Sequence, residues 1–549
     1  MFNVQRITWT TAGFVLETSH SCTTVFQGRR NRKHAASRRP WKAVVRVLGL
    51  VILSCAAYPV RGAPAAEDPS RPNIVLILAD DLGWGSAGSY GADPKLLSTP
   101  NIDRLAKEGR RFTDANTTSS VCAPTRYSVM TGRYCWRTSL KREVLGVFSP
   151  LHIEPGRLNM ASMLKKHGYR TAAVGKWHLG YGKDARTDYT KPLRPGPLQI
   201  GFDYHFGVPS NHGDITGIYV ENDRVAGLRS GNLTPPDRAG KNFKGRPFLG
   251  IDAPQRVDQE VMPRLTEKAV AWLDKQDANT PFFLYYTPVT VHNPVTPSDK
   301  TKETSKAGPF GDWIHELDAS VGRVLDVLDR KKLAGNTLVI FTSDNGGVYT
   351  PQRECDQTDA FNAGLKVNGR FRGGKHSVFE GGFRVPFVAR WPGHVPPGTV
   401  CDEMLSLTDI LATTAAIVGE PLPPKEQAAE DSYNMLPALL GKSYKGPLRP
   451  DMIVHSADGN FAIRQGPWKW IEGIYHPATK KGALRARADE FKPQLYHLGN
   501  DPSEQREATG KSPQTARRLS QLLERYRRQG HSRAHRDGKT TTKVSENSP

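Results

Sequence analysis

The stretch NIVLILADD, residues 73–81, carries the pattern that decides the fold. It is a nearly continuous apolar, β-branched run that stops at two aspartates, Asp80 and Asp81. Such a run is typical of a strand that is buried on both faces of a parallel sheet. A second run of this kind, TLVIFTSDNGG at 337–347, reaches Asp344 and Asn345 where its apolar part ends. The sequence therefore predicts two buried strands, each followed by two side chains that carry oxygen atoms.

Helical patterns lie between the predicted strands. In STPNIDRLAKEG, residues 98–109, Thr99 fits the N-cap, Pro100 takes the first helical position and Gly109 follows the end. These are the start and stop signals of a helix of about three turns.

The same alternation continues along the chain. A helical pattern closes at Gly168 before the strand YRTAAVG, and the strand PFFLYYT at 281–287 precedes a long helical pattern. The long pattern has one apolar stripe, formed by Leu317, Val321, Val324, Leu325 and Leu328. We therefore predict an α/β fold with a large, mostly parallel sheet flanked by helices.

Polar side chains follow the predicted strands at corresponding points. In sheets of this kind the functional site lies beyond the carboxyl ends of the strands. Besides the two oxygen-bearing pairs, Lys176 and His178 follow YRTAAVG, and His292 follows PFFLYYT. We expect all of these side chains to meet at one edge of the sheet.

The composition and the hydrophobic pattern of the sequence change after about residue 425. PLPPKEQAAEDS has the composition of a linker, and DMIVHS, NFAIRQG, PWKWIEG and PQLYHLG have the pattern of short antiparallel strands. We predict a catalytic α/β domain at 72–425, a smaller C-terminal α+β domain with an antiparallel sheet at 426–510, and a basic tail at 511–549.

The N-terminal segment 1–62 has the pattern of a cleaved leader. A basic region precedes the apolar run AVVRVLGLVILSCAAYPV, as in a signal peptide. Export to the periplasm or outside the cell is the expected result, and an uncleaved leader that anchors the chain in a membrane is the alternative.

The net charge of +22 is concentrated at the two ends of the chain. The leader carries +9 and residues 511–549 carry +7, which leaves +6 for the rest. No specific nucleic-acid partner is therefore expected, although a basic tail could hold the protein on a polyanion.

The six cysteines show no CxxC spacing. Two of them lie in the leader, so neither a zinc site nor a disulfide-dense scaffold is indicated, and one ordinary disulfide among Cys135, Cys355 and Cys401 remains possible.

The oxygen-rich pairs point to a metal ion. Asp80, Asp81, Asp344 and Asn345 offer only oxygen ligands, which suit a hard cation such as Ca²⁺ or Mg²⁺ rather than Zn²⁺. A lone DD or SDNG is usually a turn or a helix cap. Two such pairs at the ends of two buried strands favour the metal interpretation.

Cys122 lies in CAPTRYSVMTGRY, residues 122–134, which has the pattern of a loop that enters a short helix. The positive helix N-terminus and Arg126 would favour a reactive thiolate. A structural, buried cysteine is the alternative, and the chemistry of this segment alone does not separate the two.

Several motifs together resemble those of the type I, formylglycine-dependent sulfatases. CAPTR resembles the C-x-P-x-R signature of that family, and GKWHLG at 175–180 is similar to its second signature. Further similarities are VHNPV around His292, SDNGG at 343–347, GGK at 373–375 and LYHLGNDPSEQRE near the end. The similarity spans roughly residues 72–507, and IGFDYHFGVPSNHGD at 200–214 resembles the arylsulfatase A and N-acetylgalactosamine-6-sulfatase branch.

The resemblance implies an alkaline-phosphatase-like fold and a specific chemistry. It implies that a formylglycine-generating enzyme oxidises Cys122 to Cα-formylglycine, whose hydrate attacks the sulfur atom of a sulfate ester. It implies one Ca²⁺ ion that is bound by the side chains of Asp80, Asp81, Asp344 and Asn345 together with residue 122.

The resemblance also implies roles for the cations and histidines. Arg126 and Lys176 would hold the hydrate, and Lys375 would bind the sulfate group. His178 would act as the base for sulfate release, and His292 would act as the acid for the leaving oxygen. The implied substrates are aryl sulfates in assays and sulfated carbohydrates in nature. The stretch TPVTVHNP differs from the residues that the family usually carries before the histidine at position 292, and this difference affects the contacts expected with the substrate.

Two other functions compete with this interpretation. A phosphate-ester or phosphonate hydrolase of the same superfamily would usually carry a Ser or Thr nucleophile and more His and Asp ligands for two metals. A non-catalytic protein that binds sulfated glycans would keep the fold without needing every polar residue of the site. The sequence leaves the sugar, the position of the sulfate and the oligomeric state open.

Overall fold

The computed structural model describes residues 71–184, 186–235, 237–350, 354–473 and 492–534. The predicted leader lies outside the described residues. None of the helices in the described ranges combines the length and the apolar character that a membrane span requires.

The elements alternate between strand and helix along most of the chain. The helices are α1 (Pro100–Glu108), α2 (Cys122–Thr131), α3 (Met160–Lys166), α4 (Val261–Asp274), α5 (Gly308–Arg330), α6 (Thr358–Asn362), α7 (Asp409–Val418), α8 (Leu436–Leu439) and α9 (Pro513–Gln529). The strands are β1 (Asn73–Ala79), β2 (Arg110–Phe112), β3 (Ala115–Asn116), β4 (Arg170–Lys176), β5 (Tyr204–Val208), β6 (Val220–Glu221), β7 (Arg224–Val225), β8 (Phe282–Thr287), β9 (Thr337–Ser343), β10 (Phe387–Arg390), β11 (Thr399–Cys401), β12 (Leu405–Ser406), β13 (Asp451–His455), β14 (Phe461–Gln465), β15 (Trp468–Ile471) and β16 (Gln494–His497).

The large sheet has ten strands in the order β11-β2-β10-β9-β1-β8-β4-β5-β6-β7. Its centre is parallel, because β9, β1, β8, β4 and β5 run in the same direction. Strand β10 is antiparallel to both of its neighbours, and the short strands β6 and β7 form an antiparallel edge. The prediction of a large, mostly parallel sheet is confirmed.

Strand β1 supplies side chains to two separate cores. Ile74, Leu76 and Leu78 pack with residues of α2, α3 and α7 on one face of the sheet. Val75 and Ile77 pack with α1, α4 and α5 on the other face. Because each fully buried aliphatic side chain contributes about 1.5–3 kcal/mol, the continuous apolar run is what two covered faces require.

The predicted start and end of α1 are confirmed, and Thr99 occupies the predicted N-cap position. The helix begins at Pro100 and ends before Gly109, as its sequence signals indicate. The Thr99 side chain makes no cap hydrogen bond to the helix. Its hydroxyl oxygen instead accepts the backbone N–H of Gly88 at 2.8 Å, so a tertiary contact replaces the local one.

The C-terminal part contains a second sheet, in which β13, β14, β15 and β16 are antiparallel in sequential order. This confirms the antiparallel pattern that the sequence predicts. Helix α9 packs on it, since Leu519 and Leu523 share a core with Ile463 and Trp470. The exact domain boundaries stay predictions.

Candidate active site

The ends of β1 and β9 bring the two oxygen-bearing pairs together. Ala79 pairs with Ser343 in the parallel ladder, so the residues that follow each strand are neighbours. The backbone N–H of Asp81 donates to Asp344 Oδ1 at 3.1 Å, and Asn345 Nδ2 donates to Asp81 Oδ1 at 2.7 Å. All four side chains of the two pairs are buried.

Cys122 is the first residue of α2, as the sequence predicts. Val121 precedes the helix in an extended conformation, and every residue of α2 is buried. Arg126 lies one turn later, so its guanidinium reaches the strand ends from the same helix. The segment before the helix is fixed by the second sheet, because Ser120 N–H donates to the carbonyl of His455 at 3.2 Å.

Two buried cations and one partly buried cation face three buried carboxylates. Lys176 Nζ lies 2.9 and 2.7 Å from the two carboxylate oxygens of Asp80. Arg126 donates from Nε and Nη2 to Asp344 Oδ2 at 2.9 and 2.7 Å. The Lys375 ammonium lies 2.7 Å from Asp81 Oδ2. The charges of these six groups cancel, which is the condition for burying them together.

Burial and the ion pairs act in opposite directions on the pKa values of these carboxylates. Burial alone would raise the pKa of Asp81, but Lys375, His292 and Lys176 lower it below its usual range. Burial raises the pKa of Asp344 to about 6 against the opposing effect of Arg126. Asp81 is therefore ionised at neutral pH.

The donor set fits a hard cation. Potential ligand atoms of Asp80, Asp81, Cys122 and His292 all lie within 4.8 Å of one another. Asn345 Oδ1 is buried and has no hydrogen-bond partner among the described residues, so a cation would satisfy it. The family resemblance implies a role for His292 as a proton donor. The structure also places its imidazole among the side chains that could bind the cation.

Burial determines the protonation state of Cys122. It raises the pKa of this thiol to about 11, although Lys176 and Lys375 act in the opposite direction. At neutral pH Cys122 is therefore a neutral thiol. The interpretation of Cys122 as a reactive thiolate, which the sequence left open, is not supported by this environment.

His178 occupies the turn that follows β4. Its φ angle is 53°, in the left-handed region, and its Nε2 lies 3.0 Å from the carbonyl oxygen of Leu145. Since a carbonyl only accepts, Nε2 carries the proton and Nδ1 is an acceptor. Nδ1 is buried and has no partner among the described residues, and burial with Lys176 and Arg126 holds the pKa of His178 well below its usual range.

His292 presents its free ring nitrogen to the carboxylates. Nδ1 lies 2.6 Å from the carbonyl oxygen of Asn293, which leaves Nε2 as the acceptor of the neutral ring, 3.8 Å from Asp81 Oδ2. Burial and Lys375 lower the pKa of His292 well below its usual range, although Asp81 opposes this. The Trp313 indole N–H donates to the His292 carbonyl at 3.1 Å and holds this turn on α5.

Two further residues take part in the site, and sequence analysis missed both. Asn368 connects the turn after β9 to the turn that carries Lys375, because its amide bonds Gly347 and the carbonyl of Gly373. His212 follows β5, and its Nε2 lies 2.9 Å from the carbonyl oxygen of Pro294. Asn368 lies in a segment typical of an ordinary turn, and only the quoted stretch 200–214 marked His212.

The fold and the cluster define an alkaline-phosphatase-like hydrolase. The chain belongs to the Sulfatase family, whose sequence model matches residues 72–420. It is a sulfuric ester hydrolase, and the resemblance found in its motifs is confirmed.

Curated relatives carry the same kind of name. The chain is 36% identical over 490 residues to an N-acetylgalactosamine-6-O-sulfatase of Bacteroides thetaiotaomicron. This alignment covers 83% of this chain and 93% of the relative. It is 32% identical to human N-acetylgalactosamine-6-sulfatase over 81% of this chain and 82% of the relative. It is 33% identical to human arylsulfatase A over 82% of this chain and 87% of the relative.

Solved structures show the same fold. A Bacteroides thetaiotaomicron sulfatase, described with the metabolism of multiple glycosaminoglycans, superposes with a TM-score of 0.74 at 35% identity, over 84% of this chain and 100% of that chain. A protein solved in complex with a neocarrahexaose superposes with a TM-score of 0.63 at 26% identity, over 83% of this chain and 92% of that chain. The chain therefore hydrolyses sulfate esters.

Proposed function

We propose that this sulfatase hydrolyses sulfate esters of carbohydrates through Cα-formylglycine, formed from Cys122, and one bound Ca²⁺ ion. The observation that carries the proposal is the position of Cys122, a neutral buried thiol at the start of α2 among three carboxylates and three cations. A thiol in this state is a poor nucleophile, which favours a role of Cys122 as a precursor that is oxidised while the chain is still unfolded. A formylglycine-generating enzyme is therefore the implied partner.

The side chains of Asp80, Asp81, Asp344 and Asn345 would hold the cation together with residue 122. The hydrated aldehyde would supply the nucleophilic oxygen, and the cation would supply positive charge that polarises oxygen atoms beside it. The protein groups alone are electrically balanced, so a divalent cation leaves the site with an excess of positive charge. An anionic sulfate ester fits a site of that sign.

The three protein cations would stabilise charge on the sulfate group. Lys375 lies on the turn that follows Gly374 and is fixed by its own backbone N–H, which donates to the carbonyl of Gly347 at 2.9 Å. Lys176 is fully buried on β4, and Arg126 is held on the carbonyl of Lys176 at 3.1 Å as well as on Asp344. Such pre-positioned cations stabilise the charge that develops on non-bridging oxygens in sulfuryl transfer.

The two histidines would move protons in two different steps of the reaction. Nδ1 of His178 is an unpartnered acceptor and would take a proton during sulfate release. Nε2 of His292 would carry a proton to the leaving oxygen once an anionic substrate raises the pKa of its ring. Both rings are neutral without substrate because of burial and adjacent lysines.

The preferred natural substrate is a sulfated carbohydrate. The names of the relatives make N-acetylgalactosamine 6-sulfate the first sugar to test, and aryl sulfates would be surrogates. The proposed location is the periplasm or the outside of the cell, because the segment 1–62 has the pattern of a leader.

The test is the mass of the tryptic peptide FTDANTTSSVCAPTR from protein produced with a formylglycine-generating enzyme. We expect an aldehyde at position 122, and faster turnover of an aryl sulfate than of the matched aryl phosphate. If the thiol persists while the phosphate turns over as well or better, the phosphoesterase interpretation replaces this proposal.

A further inference from the structure

A basic segment packs beside the turn that carries His292. It is Gly240–Arg246, with the sequence GKNFKGR, and is called the cationic loop below. A Cβ atom added at Gly213 would lie 2.4 Å from the Phe243 ring and 2.7 Å from Pro294 Cδ. The Phe243 ring therefore rests on the backbone of Gly213, which in turn abuts Pro294, two residues after His292.

The conformation of the cationic loop is fixed by Asn242, which is buried. Asn242 Nδ2 donates to the carbonyl of Gly213 at 3.1 Å and anchors the loop beside the site. Asn242 Oδ1 accepts the backbone N–H groups of Lys244 and Arg246 at 3.0 and 3.1 Å. The exposed side chains on either side of Asn242 are thus displayed by a defined turn.

The three cations of the loop lack carboxylate partners. Lys241, Lys244 and Arg246 are exposed, and none of them forms an ion pair with a described residue. Other arginines nearby are neutralised, since Arg229 pairs with Asp252 at 2.7 Å and Arg256 with Asp214 at 3.0 Å. The loop therefore carries a local charge of +3 that the neighbouring protein does not compensate.

An exposed aromatic ring lies among these cations. Phe243 is 42% exposed, and Lys244 Nζ lies 5.2 Å from the centre of its ring. An aromatic face packs against the apolar face of a sugar ring, and lysine and arginine bind sulfate or carboxylate groups. A ring flanked by unpaired cations therefore suits a sugar that carries a negative charge.

We infer that the cationic loop is a second sugar subsite, which binds an anionic ring of the same glycan whose sulfate ester lies at residue 122. The inference rests on the proposed function for the identity of the bound chain. A sulfated or uronic-acid ring would stack on Phe243 while its anionic group contacts Lys241, Lys244 or Arg246. The enzyme then binds an anionic oligosaccharide more tightly than a single sulfated sugar.

The test measures binding to a protein that cannot turn over. In a Cys122→Ala background, the triple variant K241Q/K244Q/R246Q is compared with the control triple K107Q/K275Q/K332Q. The control removes the same charge from exposed lysines at the ends of α1, α4 and α5, which precede β2, β8 and β9 and so lie at the opposite edge of the sheet. The probes are a chondroitin 6-sulfate tetrasaccharide and monomeric N-acetylgalactosamine 6-sulfate.

We expect the loop triple to raise the Kd of the tetrasaccharide by about tenfold and to flatten its dependence on NaCl, because unpaired surface charges act through a screened field. In the loop triple, the Kd of the monosaccharide should stay within about twofold of its value in the Cys122→Ala background protein. In the control triple, the Kd values of both probes should stay within about twofold of the background values. A second variant, Phe243→Ala, should weaken tetrasaccharide binding without changing the salt dependence.

An unchanged tetrasaccharide Kd in the loop triple, or an equal rise in the control triple, would overturn the subsite. Failure of the proposed function has a separate signature, which is the absence of sulfate release by protein that lacks the Cys122→Ala substitution and is produced with a formylglycine-generating enzyme. Binding to the Cys122→Ala protein does not depend on that turnover, so the two results are independent.

Discussion

The amide of Asn368 holds Gly347 from both sides. Its Oδ1 accepts the Gly347 N–H at 2.9 Å, and its Nδ2 donates to the Gly347 carbonyl at 3.0 Å. Because the Lys375 N–H donates to that same carbonyl, the turn that carries Lys375 is attached to the turn that follows Asn345. Asn368 is therefore a positioning residue for Lys375, the lysine that we propose to bind sulfate.

Replacement of this amide should misplace Lys375 without unfolding the protein. We expect Asn368→Ala to lower kcat/KM for an aryl sulfate by about 10- to 100-fold, in the range of lost positioning contacts. Inorganic sulfate should inhibit the variant more weakly, because the lysine that binds sulfate is no longer held. Asn279→Ala, an exposed asparagine in a surface turn, is the control. If the inhibition constant for sulfate equals that of the unsubstituted protein while Tm is lowered, Asn368 stabilises the fold and does not position Lys375.

The strands and the cluster at their ends could be predicted because local signals and tertiary structure agree there. The apolar run of β1 needs two covered faces, and its end at Asp80 marks the edge of the sheet. The start of α2 at Cys122 follows from the extended Val121 and the helical pattern after it.

The missed features depend on contacts between distant segments. Asn368 fastens the turn that carries Lys375 to the turn after β9, and no local pattern marks this contact. The hydroxyl of Thr99 bonds Gly88 rather than its own helix, so a tertiary contact overrides a correct local rule. The packing of the Gly240–Arg246 segment on Gly213 leaves no periodicity in the sequence.

The thiol of Cys122 should be essential as a precursor. In a host whose maturation enzyme accepts only cysteine, Cys122→Ser should abolish turnover, because a serine hydroxyl cannot become the aldehyde. Cys355→Ser is the matched control, since Cys355 lies outside the cluster and its Sγ accepts the Thr358 hydroxyl at 3.8 Å. Rates of sulfate release and peptide masses check both variants. Near-native activity of Cys122→Ser would refute the aldehyde mechanism.

Removal of the cation should lower both activity and Tm. We expect a chelator to reduce turnover and to lower Tm by several degrees, because Asp80 and Asp81 lose a bound charge that stabilises the folded state. Ca²⁺ should restore both quantities. In Asn345→Ala the rise of Tm on adding Ca²⁺ should shrink, whereas it should persist in Asp402→Asn, which changes an exposed carboxylate. Restoration by Zn²⁺ alone would show that the oxygen-ligand assignment is wrong.

A buried ion network between the two sheets should make the free energy of unfolding depend on pH in the acidic range. Glu380 lies 2.5 Å from Arg384 and 3.1 Å from Lys469, which also pairs with Glu504 at 2.8 Å. Burial alone would raise the pKa of Glu380, but Lys469, Arg464 and Arg384 lower it below its usual range. A lowered pKa in the folded state gives stability that is present above the unfolded pKa and is lost as the pH falls towards the folded pKa.

Glu380→Gln should therefore destabilise the protein most at neutral pH. We expect a loss of at most about 3–5 kcal/mol at pH 7, the range for a buried ion pair that loses one partner, because Arg384, Arg464 and Lys469 lose a shared carboxylate and keep only Asp114 and Glu504. The difference in Tm between the variant and the unsubstituted protein should become smaller below about pH 4. In that range Glu380 of the unsubstituted protein is protonated in the unfolded chain but still ionised in the folded protein, which favours unfolding. The control is Glu267→Gln, whose exposed pair with Arg264 at 2.9 Å should contribute less than about 1 kcal/mol. Thermal unfolding at several pH values measures both variants, and a Tm difference that grows towards acid would contradict the ionised state assigned to Glu380.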